Sequence, residues 1–203
     1  MLLRLLVGAS PWILFGTLAG IFGYDIAAAG ALVASLGLNL RHWKHGRLMI
    51  FEAASLGFFA LSVVASHGFG SPLVATHGLA FAHLCLGLVA WGSLAAGVPF
   101  TLQYARDAVA PETARTPLFR QTNRVLTAVW GAVFLAVAAT ALAAPKTGIL
   151  VAPFAHGGGV AFSLWFPRAF VRRKLQQMQL RQPRTDHPEI ADTRSTGFVN
   201  DQA

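Results

Sequence analysis

The feature that most constrains this chain is a series of apolar stretches, each nearly free of charge and separated by short polar segments. A helix that crosses a bilayer needs about 20 predominantly apolar residues, with roughly 17–25 tolerated. Six segments meet or approach that requirement: 5–23, 26–40, 48–66, 73–97, 125–144 and 148–166. No segment alternates polar and apolar residues as the strands of a membrane barrel do. The chain therefore reads as an all-α, polytopic membrane helix bundle of about six transmembrane helices. Composition agrees, with 55% hydrophobic and 12% charged residues among 203. That is about half the charge a soluble domain carries on its surface. Cys85 is the single cysteine, so an internal disulfide and multi-cysteine metal sites are excluded.

The boundaries carry their own signals. Ser10 and Pro11 near the start of the first stretch leave two readings. Either the helix starts near Leu5, or Ser10 caps a helix whose first residue is Pro11. Arg4 and the apolar run after it resemble a secretory signal, but no small-x-small site closes the run, so it reads as a retained span. Asp25 is placed to cap the second helix.

The charges sort by loop. Fifteen of the sixteen Lys and Arg fall before span one, between spans two and three, between spans four and five, or after span six. Lys146 is the exception. The positive-inside rule then places both termini in the cytoplasm of a bacterial inner membrane. The net charge of +8 is accordingly a basic rim facing anionic lipid headgroups, not a nucleic-acid platform, since no aromatic-interleaved basic surface accompanies it. Residues 1–174 form the expected bundle. Residues 175–203 form a polar cytoplasmic tail whose last part, 182–203, reads as disordered. The cytoplasmic stretch 99–124 predicts a short amphipathic helix lying in the interface. Its Arg106, Arg115 and Arg120 are the candidates for contact with headgroups or with other inner-membrane proteins.

Four stretches carry a resemblance: YDIAAAGALVASL at 24–36, LRHWKHGRLMIFEAASLGFFALSV at 40–63, VPFTLQYARDAV at 98–109 and LFRQTNRVLTAVWGAVF at 118–134. In these the chain resembles the intracellular septation protein A family of small bacterial inner-membrane proteins, as a distant branch. The FTLQYAR segment and the histidines of spans four and six depart from that family's pattern. The resemblance implies a non-enzymatic role in envelope integrity or division-linked membrane homeostasis, with no cofactor.

Ionisable residues inside spans are costly to insert and call for a reason. Glu52, one turn inside span three, is a candidate proton- or ion-coupling carboxylate, or else an acid paired near the interface. His77 and His83 are candidates for the same coupling, although six residues at 100° each turn them about 240° apart on one helix. These residues support one alternative function, a small proton-coupled transporter. His83 and His156 lie at similar depth on different helices, which supports a second alternative, a haem b-binding subunit. No cluster suggests another metal site, and no nucleophile–base pair stands out. Gly16 with Gly20, and the run Gly157, Gly158 and Gly159, predict close helix packing. Trp12, Trp43 and Trp165 read as interface anchors, whereas Trp130 is too deep for that role.

Overall fold

The computed structural model describes residues 2–43, 49–68 and 72–181. Every regular element among them is helical: α1 (Leu2–Phe22), α2 (Tyr24–Trp43), α3 (Ile50–Val63, continued by one π turn Val64–Gly68), α4 (Pro72–Ala95), α5 (Phe100–Arg106), α6 (Pro111–Arg115), α7 (Pro117–Ala143) and α8 (Pro145–Arg181). Four helices are long and apolar enough to cross a membrane: Ile50–His67, Thr76–Ala95, Pro117–Ala143 and Pro145–Gln177. α1 and α2 contain shorter apolar runs, Leu6–Phe22 and Tyr24–Leu40.

The helices change direction where the sequence supplies a breaker. Gly23, at φ 86°, separates α1 from α2 in a conformation that costs a glycine little. Gly97, at φ 74°, ends the turn after α4. Pro117 opens α7 at its first position, behind a Thr116 hydroxyl that accepts the Phe119 N–H at 3.2 Å. Pro11, by contrast, lies inside α1 and is fully buried, so the helix does not start there. The Ser10 hydroxyl donates to the Val7 carbonyl at 2.7 Å and does not cap.

The centre of the bundle is the α4–α7 pair, with α1 on α2, α2 on α3, and α8 on α7. Small residues line the tight contacts: Ala27, Ala28 and Ala31 of α2 are buried beside Phe15 and Phe59, and Ala80 and Ala90 of α4 are fully covered. This is how helices pack in lipid, where small side chains let backbones approach. Outward faces remain apolar, with Phe154, Ile149, Leu150, Val33 and Leu61 each more than 60% exposed. A surface of that kind suits hydrocarbon rather than water.

One segment differs from the sequence expectation. α5 does not lie flat in an interface. Five of its seven residues are buried, because polar side chains tie it into the bundle. The Ser93 hydroxyl accepts the Phe100 N–H (3.1 Å), the Thr101 hydroxyl donates to the Asn123 carbonyl (2.9 Å), and Gln103 Oε1 accepts the Ile50 N–H at the start of α3 (3.1 Å). α8 runs 37 residues without a break despite Pro153 and Pro167, joining span six to the basic helix that the sequence continues over 168–180. At 1.5 Å per residue it is about 55 Å long, well beyond a hydrocarbon core of about 30 Å. Its C-terminal part carries the basic residues Arg168, Arg172, Arg173 and Lys174. Residues 182–203 and the basic loop 44–48 lie outside the described residues.

Candidate functional site: a crevice between α1 and α8 with a histidine pair on its wall

α1 packs chiefly on α2, and α8 chiefly on α7. The two outer helices thus flank a gap above the α4–α7 pair. That gap is a crevice of about 540 Å³. Trp12, Phe15 and Gly16 line it from α1, Trp130 and Phe134 from α7, and Phe100 and Tyr104 close its end from α5. Leu6, Ile13, Thr17 and Pro153 stand exposed at its rim, so it opens sideways, toward what would be lipid. None of the described lining residues carries a formal charge. Volumes of roughly 300–1,000 Å³ with apolar walls and few polar groups are typical of small-molecule sites.

The polar feature on the wall is a pair of imidazoles. His83 lies eleven residues after Pro72, the first residue of α4, and His156 eleven residues after Pro145, the first residue of α8. Equal depth on neighbouring helices brings their Nε2 atoms to 3.3 Å, with ring centroids 5.1 Å apart and ring planes 19° from parallel. His83 Nδ1 is 2.8 Å from the Leu79 carbonyl one turn back. A carbonyl only accepts, so His83 Nδ1 carries a proton. In its neutral form His83 then keeps a lone pair on Nε2. The hydrogen bond across the pair therefore runs from His156 Nε2–H to His83 Nε2. Trp130 stacks beside His156 at 6.2 Å, and Phe134 meets both rings edge-on at 6.3 and 5.9 Å. The Trp130 indole N–H donates to the Ser163 hydroxyl (2.9 Å), which fixes the plate between α7 and α8.

A haem held between the two imidazoles would need space on every side of their axis, and Phe134 and Trp130 close the α7 side, so the residues present do not fit that group. No group of three or more His, Cys, Asp or Glu that could hold a metal ion occurs among the described residues.

The other sequence candidates lie elsewhere. His77 does not join His83: its ring meets Phe81 on its own helix, and its Nδ1 is buried with no hydrogen bond among the described residues. Glu52 is 2% exposed at the start of α3, with the Asn39 amide donating to its carbonyl oxygen at 3.1 Å. Its carboxylate neighbours Tyr104. Burial, and then that carboxylate, push the Tyr104 phenol above its ordinary value, so it remains a neutral hydroxyl. Arg106, Arg115 and Arg120 are all exposed, and Arg106 reaches Asp107 at 3.9 Å.

Several structural expectations change. Gly16 makes no close helix contact: a Cβ there would meet nothing within 4 Å, and the residue faces the crevice. Gly157 and Gly158 are also in open space, whereas a Cβ at Gly159 would lie 3.0 Å from Trp130. Trp12 is no interface anchor, because its indole N–H donates to the Ser55 hydroxyl inside the bundle. Sequence reasoning missed its place in the crevice. The signal was the spacing of Trp12, Phe15 and Gly16, which puts two aromatic residues and a glycine on one face of α1.

Taken together, fold and site define a helical protein with membrane-compatible outer faces and a laterally open apolar crevice. A scan of protein-family models, a search of curated proteins and a search of solved structures each return no match for this chain.

Proposed function

We propose that this chain is a non-enzymatic protein of a bacterial inner membrane, of the septation protein A-like type, that holds a lipid-soluble molecule in the crevice between α1 and α8 as part of envelope homeostasis. The observation that carries this reading is the crevice itself: about 540 Å³, aromatic-walled, uncharged and open sideways. A space of that size inside a packed bundle would normally be closed by collapse of neighbouring side chains. Here Trp12 and Trp130 are each held in place by a hydrogen bond from the indole to a serine. Six crossings with both termini cytoplasmic belong to the same proposal. α1 and α2 have 21 and 20 residues, about 30 Å each, which supports their crossing although their apolar runs are shorter.

The test fills the crevice. Gly16→Leu adds a branched side chain where open space faces the cavity, and Gly20→Leu adds one in open space that does not line it. Native mass spectrometry of the full chain released from membranes should show a bound apolar molecule in the unmodified protein and in Gly20→Leu. Gly16→Leu should lose most of it while keeping its melting temperature. Equal occupancy in all three, or none in the unmodified protein, would overturn the reading.

A further inference from the structure

We infer that the His83–His156 pair selects, within the crevice proposed above, a ligand bearing a phenolic hydroxyl: a hydroquinone or related phenol carried on an apolar tail. His83 Nδ1 is committed to the Leu79 carbonyl, so its Nε2 can only accept in the neutral form. The facing His156 Nε2 supplies the proton of the 3.3 Å contact. The wall therefore offers one acceptor and one donor side by side, each satisfied by the other while no ligand is present.

A hydroxyl is the group that satisfies both at once, since its O–H donates to His83 Nε2 and its oxygen accepts from His156 Nε2–H. A carbonyl or ether oxygen only accepts, so it can engage the pair only by taking the His156 Nε2–H away from His83 Nε2, which is then buried without a partner, or else it binds beside the closed pair with no hydrogen bond to it. A carboxylate would bring a charge into a crevice whose described lining has no cation to meet it. Two hydrogen bonds of about 2.8 Å meeting at one oxygen span about 4.5 Å, so the imidazoles must part by little more than 1 Å. α8 is built to give that much. Pro153, one turn before His156, lacks the N–H that would tie it to the preceding turn, and Gly157 and Gly158 beyond it touch no neighbouring side chain.

The walls choose the body of the ligand. Trp12, Phe15, Trp130 and Phe134 present ring faces and edges around the space beside the pair, which suits a flat aromatic head over an aliphatic alcohol. The apolar rim at Leu6 and Ile13 leaves the tail in hydrocarbon.

The experiment titrates the full chain in lipid nanodiscs with decyl-hydroquinone, its dimethyl ether and the corresponding quinone, following tryptophan emission, since Trp12 and Trp130 line the site. The hydroquinone should bind about tenfold or more tightly than the ether or the quinone, the penalty expected for a buried acceptor left unpaired. His83→Phe, which keeps a ring of similar size in an aromatic setting, should remove that preference. Equal affinities of hydroquinone and ether in the unmodified chain would overturn the inference and leave the crevice reading standing. Failure of all three compounds to bind would overturn both. Should His83→Phe not fold, the hydroquinone–ether comparison in the unmodified chain still decides.

Discussion

Single residues set the limits of the crevice, and a one-position difference separates packing from open space. In the run Gly157, Gly158 and Gly159, only the last approaches another helix, with Trp130 3.0 Å from where its Cβ would stand. Trp130 cannot retreat easily, because its indole N–H is bonded to Ser163 on the same helix as the glycine. Gly159→Leu should therefore destabilise the protein by about 1–3 kcal/mol, the usual cost of overpacking, whereas Gly158→Leu should be neutral. Thermal melts in detergent distinguish the two, and a Gly158→Leu variant less stable than Gly159→Leu would contradict this assignment. The glycine run was visible in the sequence as a packing signal. Which of the three makes the contact was not, because that depends on the rotation of α8 about its axis, and its outward faces are as apolar as its inward ones. The His83–His156 juxtaposition was more legible. Counted from the expected span starts at 73 and 148, His83 stands about ten residues in and His156 about eight, a similar depth; the helices in fact begin at Pro72 and Pro145, which makes the two distances equal. What depth could not reveal is that Phe134 and Trp130 would close the α7 side of the pair.

At the scale of elements, apolar length recovered most of the helices, and local polarity misjudged one. Within the segment 99–124, residues 100–109 alternate polar and apolar, so they read as a short surface helix ended by Pro111. The structure places α5 there, and it is buried, whereas Pro111 opens α6, of which no residue is buried. The polar residues of α5 face inward because each has a backbone or hydroxyl group of another helix to satisfy: Thr101 with Asn123 and Thr127, and Gln103 with Ile50. Partners so far apart in the chain cannot be read from a local pattern. The crossing of α1 and α2 is the element-scale claim most open to test. Their lengths suit a span, but their uninterrupted apolar runs are shorter than those of the other four. A reporter fused after Ala203 should appear in the cytoplasm, and one inserted beside Ser71 should appear outside. Both on one side would mean that the number of crossings is not six.

For the whole molecule, the arrangement of helices explains why a crevice exists at all. α4 and α7 form the tightest pair, and the remaining helices are layered on them from two sides, α1 with α2 and α3 on one side and α8 on the other. Between the two layers the aromatic residues of α1 and α7 face each other across space that no side chain fills. Beyond the shared face of Trp12, Phe15 and Gly16 on α1, the sequence does not mark that gap, since each other lining residue alone resembles an ordinary core residue. A photoreactive diazirine on a short alkyl chain, dissolved in the bilayer and mapped by mass spectrometry, would test it most directly. Adducts should concentrate on the crevice rim, at Leu6, Ile13 and Pro153, and should fall sharply there in Gly16→Leu. Labelling spread evenly over outward residues such as Phe154, Leu150 and Ile21, unchanged by Gly16→Leu, would contradict a lateral binding site.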